Sequence, residues 1–313
     1  MNSFILAFNV VCPLFLMMIL GYFLKMLHIF DDVFLRKLNT ICFQVFLPML
    51  LFINVYQSDF KEAFQPELIL FAVGCVCSIF VVLMIIVPKI EKNNNRRGII
   101  IQGMFRSNYI LFGLPIASSL FGETNTGTTA ILIAFVVPLY NVLSVIALEV
   151  FRMGNMNGKR ILLGIIKNPL IIAGVFAFAF IGCGIQLPMV VEKTMKDIAS
   201  IATPLALIIL GGSFAFSKIG HNIGTLTLVI LCKLVLLPLA ILSVAILLGY
   251  KGMALGALLA MACSPTAVSS FTMAQQMGGD DELAGQIVVV SSLLSVVTIF
   301  MWISILHNFL IIT

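Results

Sequence analysis

The chain has 313 residues, 61% of them apolar and only 10% charged, with a formal net charge of +5 and a mean hydropathy of +1.16. A soluble domain carries about 25% charged residues, so this composition excludes an ordinary soluble protein. The positive excess lies in short breaks between apolar runs, a pattern of membrane topology and not of a nucleic-acid surface.

Runs of about 20 apolar residues predict transmembrane helices. Ten are found, at about 4–24, 38–56, 67–87, 99–121, 126–148, 168–186, 198–217, 223–248, 253–277 and 285–310. Backbone amides in lipid must be satisfied within the protein, so runs of this length are helical. Barrel strands would alternate in polarity over about ten residues, and nothing here alternates. The expected class is an all-α polytopic membrane protein. The first run has no basic residue ahead of it and Lys25, Arg36 and Lys37 behind it, which reads as a retained helix. The seven cysteines lie within or beside the runs and are odd in number, as packing residues and not as a disulfide framework. Of the 18 lysines and arginines, twelve fall in connections after odd-numbered spans and four in the others; the remaining two, Arg106 and Lys233, lie inside spans. The basic connections are expected on the cytoplasmic side of a cell membrane, with both termini outside.

Ten spans divide into two sets of five with opposite orientation, and the prolines point to such a duplication. Pro13 and Pro169 are 156 residues apart, as are Pro48 and Pro204; Pro88 and Pro238 are 150 apart, as are Pro115 and Pro265. One six-residue slip reconciles the four pairs, and "LPIASSLF" around Pro115 parallels "SPTAVSSF" around Pro265. The expected halves are 1–155 and 156–313, an inverted repeat of five helices each, joined by "RMGNMNGKR".

The fourth and ninth spans are expected to break at Pro115 and Pro265. Each proline removes the hydrogen bond to the carbonyl four residues back, Leu111 and Met261. Unpaired backbone at membrane depth survives only against protein or a wet cavity. New half-helices would begin near Ile116 and Thr266, their electropositive N-terminal ends turned to the gap and suited to an anion. Full charges agree, since no Asp or Glu occupies the centre of a span whereas Arg106 and Lys233 lie within spans. Candidate substrate-binding residues are Asn108, Gly113, Leu114, Pro115 and Ile116 at the first break and Ser264, Pro265 and Thr266 at the second, with Arg106 and Gln275 beside them. Plainer roles compete: Arg106 reaching lipid headgroups, Lys233 capping orphaned carbonyls, Ser118, Ser119, Ser269 and Ser270 bonding backbone. The three histidines have no partner at ligand spacing, and no metal or other cofactor is implied.

"SNYILFGLPIASSLFG" resembles the fourth-helix signature of the auxin efflux carrier family, and "SPTAVSSFTMAQQMGGDDELAGQIVVVSSLLS" its ninth helix, following loop and tenth helix. "KNPLIIAGV" is similar to the Asn-Pro start of its sixth helix, so the resemblance spans essentially the whole chain. It implies ten helices in two inverted repeats, with helices 4 and 9 crossing at their prolines at mid-membrane. It also implies a scaffold of helices 1, 2, 6 and 7 that pairs two copies, and a moving domain of helices 3–5 and 8–10. The implied substrates are small organic anions: indole-acetic acid in plant members, malonate or malate in some bacterial ones. The matching positions are Asn108, Gly113, Pro115 and Pro265. The long cytoplasmic loop of plant PIN-type members is missing here, which suggests a prokaryotic member.

The leading expectation is a secondary transporter of a carboxylate anion, with a proton or sodium ion as candidate coupling ion. A sodium-coupled bile-acid-type symporter or a cation/proton antiporter would use central acidic residues, which this sequence lacks. A non-transporting sensor would need a signalling loop or tail, and an intramembrane enzyme an acidic pair at depth; neither is found.

Overall fold

The computed structural model describes residues 2–57, 65–122, 125–152, 158–214 and 219–308. Among these, every regular element is helical, and the one non-helical pairing is a single antiparallel bridge between Ser107 and Thr266. In chain order the helices are α1 (Asn2–Met26), α2 (Asp32–Tyr56), α3 (Pro66–Ile90), α4 (Asn94–Phe105), α5 (Tyr109–Phe121), α6 (Gly127–Arg152) and α7 (Gly158–Ile166). They continue with α8 (Pro169–Gly182), α9 (Met189–Ser213), α10 (Ile219–Leu231, then Cys232–Leu236 and Leu237–Leu247), α11 (Gly252–Cys263), α12 (Ser269–Gln276) and α13 (Asp281–Asn308). Six of them, α2, α3, α6, α9, α10 and α13, are long and apolar enough to cross a membrane. Shorter apolar helices include α5, α8 and α11.

Polar residues cap several helices, and in α2 the cap starts the helix before the apolar run does. Asp31 accepts from Phe34 N at 2.6 Å and starts α2 ahead of the predicted boundary. Asn168 accepts from Leu170 N at 3.0 Å, with Pro169 in the first helical position where its missing N–H costs nothing. Two helices contain a π-helical turn, Cys42–Phe46 in α2 and Cys232–Leu236 in α10, each followed by Leu-Pro. The wider turn accommodates a ring that would clash with the carbonyl four residues back. For Pro238 that carbonyl belongs to Leu234, and it accepts from the Trp302 indole at 3.0 Å.

The helices pack as two groups. α1 lies along α9, and the second half of α2 packs on α8 and α9. α1 and α9 approach backbone to backbone, since a Cβ added at Gly21 or Gly211 would overlap the carbonyl of Ile208 or Met18. The other group holds α3–α6 and α10–α13, with α4 against α6, α11 against α5 and α10, and α12 against α13.

Connections alternate between the two ends of α3. Near its start, the Tyr250 hydroxyl donates to Glu67 O at 3.2 Å. At its far end, Arg96 pairs with Glu91 and Asp280, and Asp280 N donates to Asn95 O at 3.0 Å.

The breaks depart from expectation in one respect. The ninth span does open at its proline, with extended backbone between α11 and α12 around Pro265. The fourth opens at Arg106–Asn108, where there is no proline, and Pro115 lies inside α5. The new half-helices therefore begin at Tyr109 and Ser269, not near Ile116 and Thr266. Pro88 and Pro238 likewise occupy different places in their helices, the end of α3 and the middle of α10.

Candidate functional site

The two breaks meet. Asn108 N donates to Pro265 O at 2.7 Å, and Thr266 Oγ1 donates to Gly103 O at 2.7 Å. Each extended segment thus satisfies groups that the other lost by leaving the helix. Ser107 faces Thr266 across the bridge. The Tyr109 hydroxyl donates to Ala257 O at 2.9 Å and ties the start of α5 to α11.

Beside the crossing is a cavity of about 70 Å³ at the seam between the two helix groups. One wall comes from α2, α8 and α9 and is mainly apolar, with Leu47, Leu50, Leu51 and Leu170 alongside Asn54 and Thr203. The other comes from Arg106–Leu111, α6 and Ala267–Ser269. Both half-helix starts, Asn108–Leu111 and Ala267–Ser269, therefore border the cavity, and neither carries a side-chain cap. The first-turn amides of α5 have no intrahelical acceptor, so the partial positive charge of that end borders this space, whereas at the α12 start the Ser270 and Phe271 amides already donate to Ala267 O and Val268 O at 2.9 and 3.1 Å.

Arg106 is 3% exposed and lines the cavity. Its guanidinium donates to Asn141 Oδ1 and Ser269 Oγ, both at 2.6 Å, and to the Met273 thioether. All three acceptors are neutral, and a thioether is a weak one. No ion pair among the described residues reaches Arg106. Asn108 is 8% exposed and its Nδ2 has no hydrogen-bond partner. Buried polar groups normally have partners, so an orphaned amide donor beside a guanidinium with no counter-charge marks Asn108 and Arg106 as candidate contacts for an acceptor.

Of the residues anticipated from sequence, Arg106 and Asn108 line the cavity, and so does Ser269. Pro265 and Thr266 build the crossing behind it, and Ser264 turns its hydroxyl back to Ala260 O. Gly113, Leu114, Pro115 and Ile116 lie farther along α5 and do not border it: Gly113 packs on the Tyr109 ring, Leu114 is exposed and Ile116 is buried. Gln275 is at the far end of α12, donating to Asp281 at 2.9 Å. Lys233 is buried and donates to Ser107 Oγ, which also faces the Tyr140 hydroxyl. Asn54, Tyr140, Asn141 and Thr203 complete the polar lining. The signal for these was an amide or hydroxyl in a long apolar run, as in "FINVY" and "PLYN". Among the described residues no group of His, Cys, Asp and Glu could hold a metal ion.

Residues 6–303 match the model of the family described as "Membrane transport protein". The chain belongs to that family, the auxin efflux carriers. With several helices fit to span a bilayer, it is a multi-pass membrane protein of a transporter family, which is not an enzyme class. Among its relatives, uncharacterised transporters of Methanocaldococcus jannaschii and Methanothermobacter thermautotrophicus are each 23% identical. The first alignment covers 96% of this chain and 99% of the relative, the second 93% and 96%. A Rhizobium meliloti protein named "Putative malonate transporter" is 24% identical over 93% of both chains.

Proposed function

We propose that the protein is a secondary transporter that carries a small organic anion, a carboxylate, through the seam between its two helix groups by alternating access. The observation that carries this is Arg106, a buried guanidinium on a cavity wall whose acceptors are all neutral, next to the orphaned Asn108 amide. A buried charge without a counter-charge is costly, and a carboxylate relieves it while accepting from both groups. The named specificity of the Rhizobium relative points to the same class.

Helix starts support two inverted halves, 1–155 and 156–313. Asp32 and Met189, Asn94 and Gly252, and Tyr109 and Ser269 all begin helices, at spacings of 157, 158 and 160. In this reading α3–α6 and α10–α13 move against α1, α2, α8 and α9, which pair two copies. The basic junction of α3 and α4, with Lys89, Lys92, Arg96 and Arg97, faces the cytoplasm, and both termini are outside.

The test is thermal stabilisation of the purified protein by malonate, malate, acetate and indole-3-acetate, followed by counterflow of the stabilising anion in proteoliposomes. Stabilisation by a short carboxylate, weakened by Arg106→Gln, is the expected result. If no organic anion stabilises or moves, the substrate class is wrong.

A further inference from the structure

Lys233 is the second buried cation of the core, 2% exposed, and it does not line the cavity. Its position is constructed. It belongs to the π-helical turn Cys232–Leu236, closed by Leu237 N donating to Cys232 O. That turn packs against α4, α11 and α13, and Trp302 of α13 holds the carbonyl that Pro238 leaves without a donor. From there the ammonium donates to Ser107 Oγ, inside the crossing. The titratable side chains near it are the thiols of Cys232 and Cys263 and, across Ser107, the Tyr140 phenol. None is a carboxylate, and no ion pair among the described residues includes Lys233.

Beside the ammonium two helix C-termini converge. α4 ends at Phe105 and α11 at Cys263, and both electronegative C-terminal ends run into the crossing next to the Lys233 turn. In transporters with broken helices, half-helix C-termini and unwound carbonyls are the groups that coordinate a coupling sodium ion. At this crossing those oxygens already have donors of the protein's own. Gly103 O takes the Thr266 hydroxyl, Ala260 O the Ser264 hydroxyl, Pro265 O the Asn108 amide, and Ser107 Oγ the ammonium itself.

We propose that the Lys233 ammonium is the resident cation of the crossing, occupying the place a transported sodium ion would take, so that transport by this protein needs no sodium. The idea deepens the transporter reading and rests on it for its functional half. Its structural half can be tested without any substrate.

Thermal unfolding of the purified, substrate-free chain is compared in sodium, lithium and choline chloride at equal ionic strength. The wild type should unfold at the same temperature in all three. Lys233→Ser, which removes the charge and leaves space, should unfold earlier in choline and recover at least half the loss in sodium or lithium; Lys233→Arg should stay close to wild type. Wild-type stabilisation by sodium over choline, or a Lys233→Ser defect that no small cation repairs, would overturn the proposal. Should Lys233→Ser not fold in any salt, counterflow of labelled malonate by the wild type decides: equal rates in sodium and choline are expected, and a sodium requirement of about tenfold or more, the range of ordinary site coupling, refutes it. Failure of every anion to move in any salt would sink the substrate class and leave the unfolding comparison to judge Lys233.

Discussion

Replacing Asn108 by alanine separates a ligand-binding amide from a structural one. The Asn108 Nδ2 has no partner although the residue is only 8% exposed. A buried donor left unsatisfied costs about 1–3 kcal/mol, so its removal should leave the unfolding temperature unchanged or raise it. The backbone of Asn108 keeps its work, since N still donates to Pro265 O at 2.7 Å and O still accepts from Phe112 N at 3.2 Å. The crossing should therefore survive. Once an anion is bound, the same amide makes a hydrogen bond to a charged acceptor, worth about 1.5–3 kcal/mol. At about 1.4 kcal/mol per decade, that predicts a loss of roughly 10- to 100-fold in affinity. Unfolding curves with and without malonate, and the concentration dependence of counterflow, measure both halves. A variant that unfolds earlier yet binds malonate as well as the parent would show the amide to be structural, and the site would have to be sought elsewhere.

Arg106→Gln removes the full charge facing the cavity and should weaken anion binding by about 100-fold or more, the scale of truncating a buried charge pair; retained affinity in the thermal-shift titration would exclude the guanidinium. Pro115→Ala should be neutral or stabilising by about 1 kcal/mol, because Pro115 lies inside α5, where a helix former restores a hydrogen bond to Leu111. Its transport rate should stay within about threefold of wild type, and abolished counterflow with intact folding would return the functional break to Pro115. Trp302→Phe strips the donor from Leu234 O and should cost about 1–3 kcal/mol of stability by denaturant or thermal unfolding. No change there would mean that the carbonyl finds another donor.

Much of the fold was legible because lipid leaves so little choice: long apolar runs have to be helices, and their ends are marked by charge. The site was legible only where it broke that rule. Arg106 and Asn108 stand out in an apolar run, and both line the cavity. Asn141 is the single amide of the fifth predicted span and Asn54 one of three in the second, and nothing local distinguishes them from residues bonding their own helix. Indeed Asn141 Nδ2 does donate to Val137 O at 3.1 Å. Its Oδ1 serves Arg106 because α4 and α6 pack side by side, and that is tertiary information. The two π-helical turns were equally hidden, although the Leu-Pro after each one gives the reason for them.

The first break explains why proline located one opening and missed the other. A residue preceding proline is pushed to extended backbone, and Ser264 obeys, with φ −61° and ψ 140°. That extended segment then offers a free carbonyl at Pro265 and a hydroxyl at Thr266. Arg106, with φ −79° and ψ 124°, leaves its helix against this ready-made partner. Asn108 N gains the Pro265 carbonyl, and the Gly103 carbonyl gains the Thr266 hydroxyl. Opening the fourth span thus re-pairs two of the groups it releases and needs no proline of its own. One proline sets both breaks, and Pro115 is left to an ordinary place within α5, one turn and more beyond the site. Had the crossing partner been a regular helix, Arg106–Asn108 would have had nothing to bond and would have stayed helical. The position of a break in a paired structure is therefore a property of the pair, written in part in the sequence of the segment it crosses.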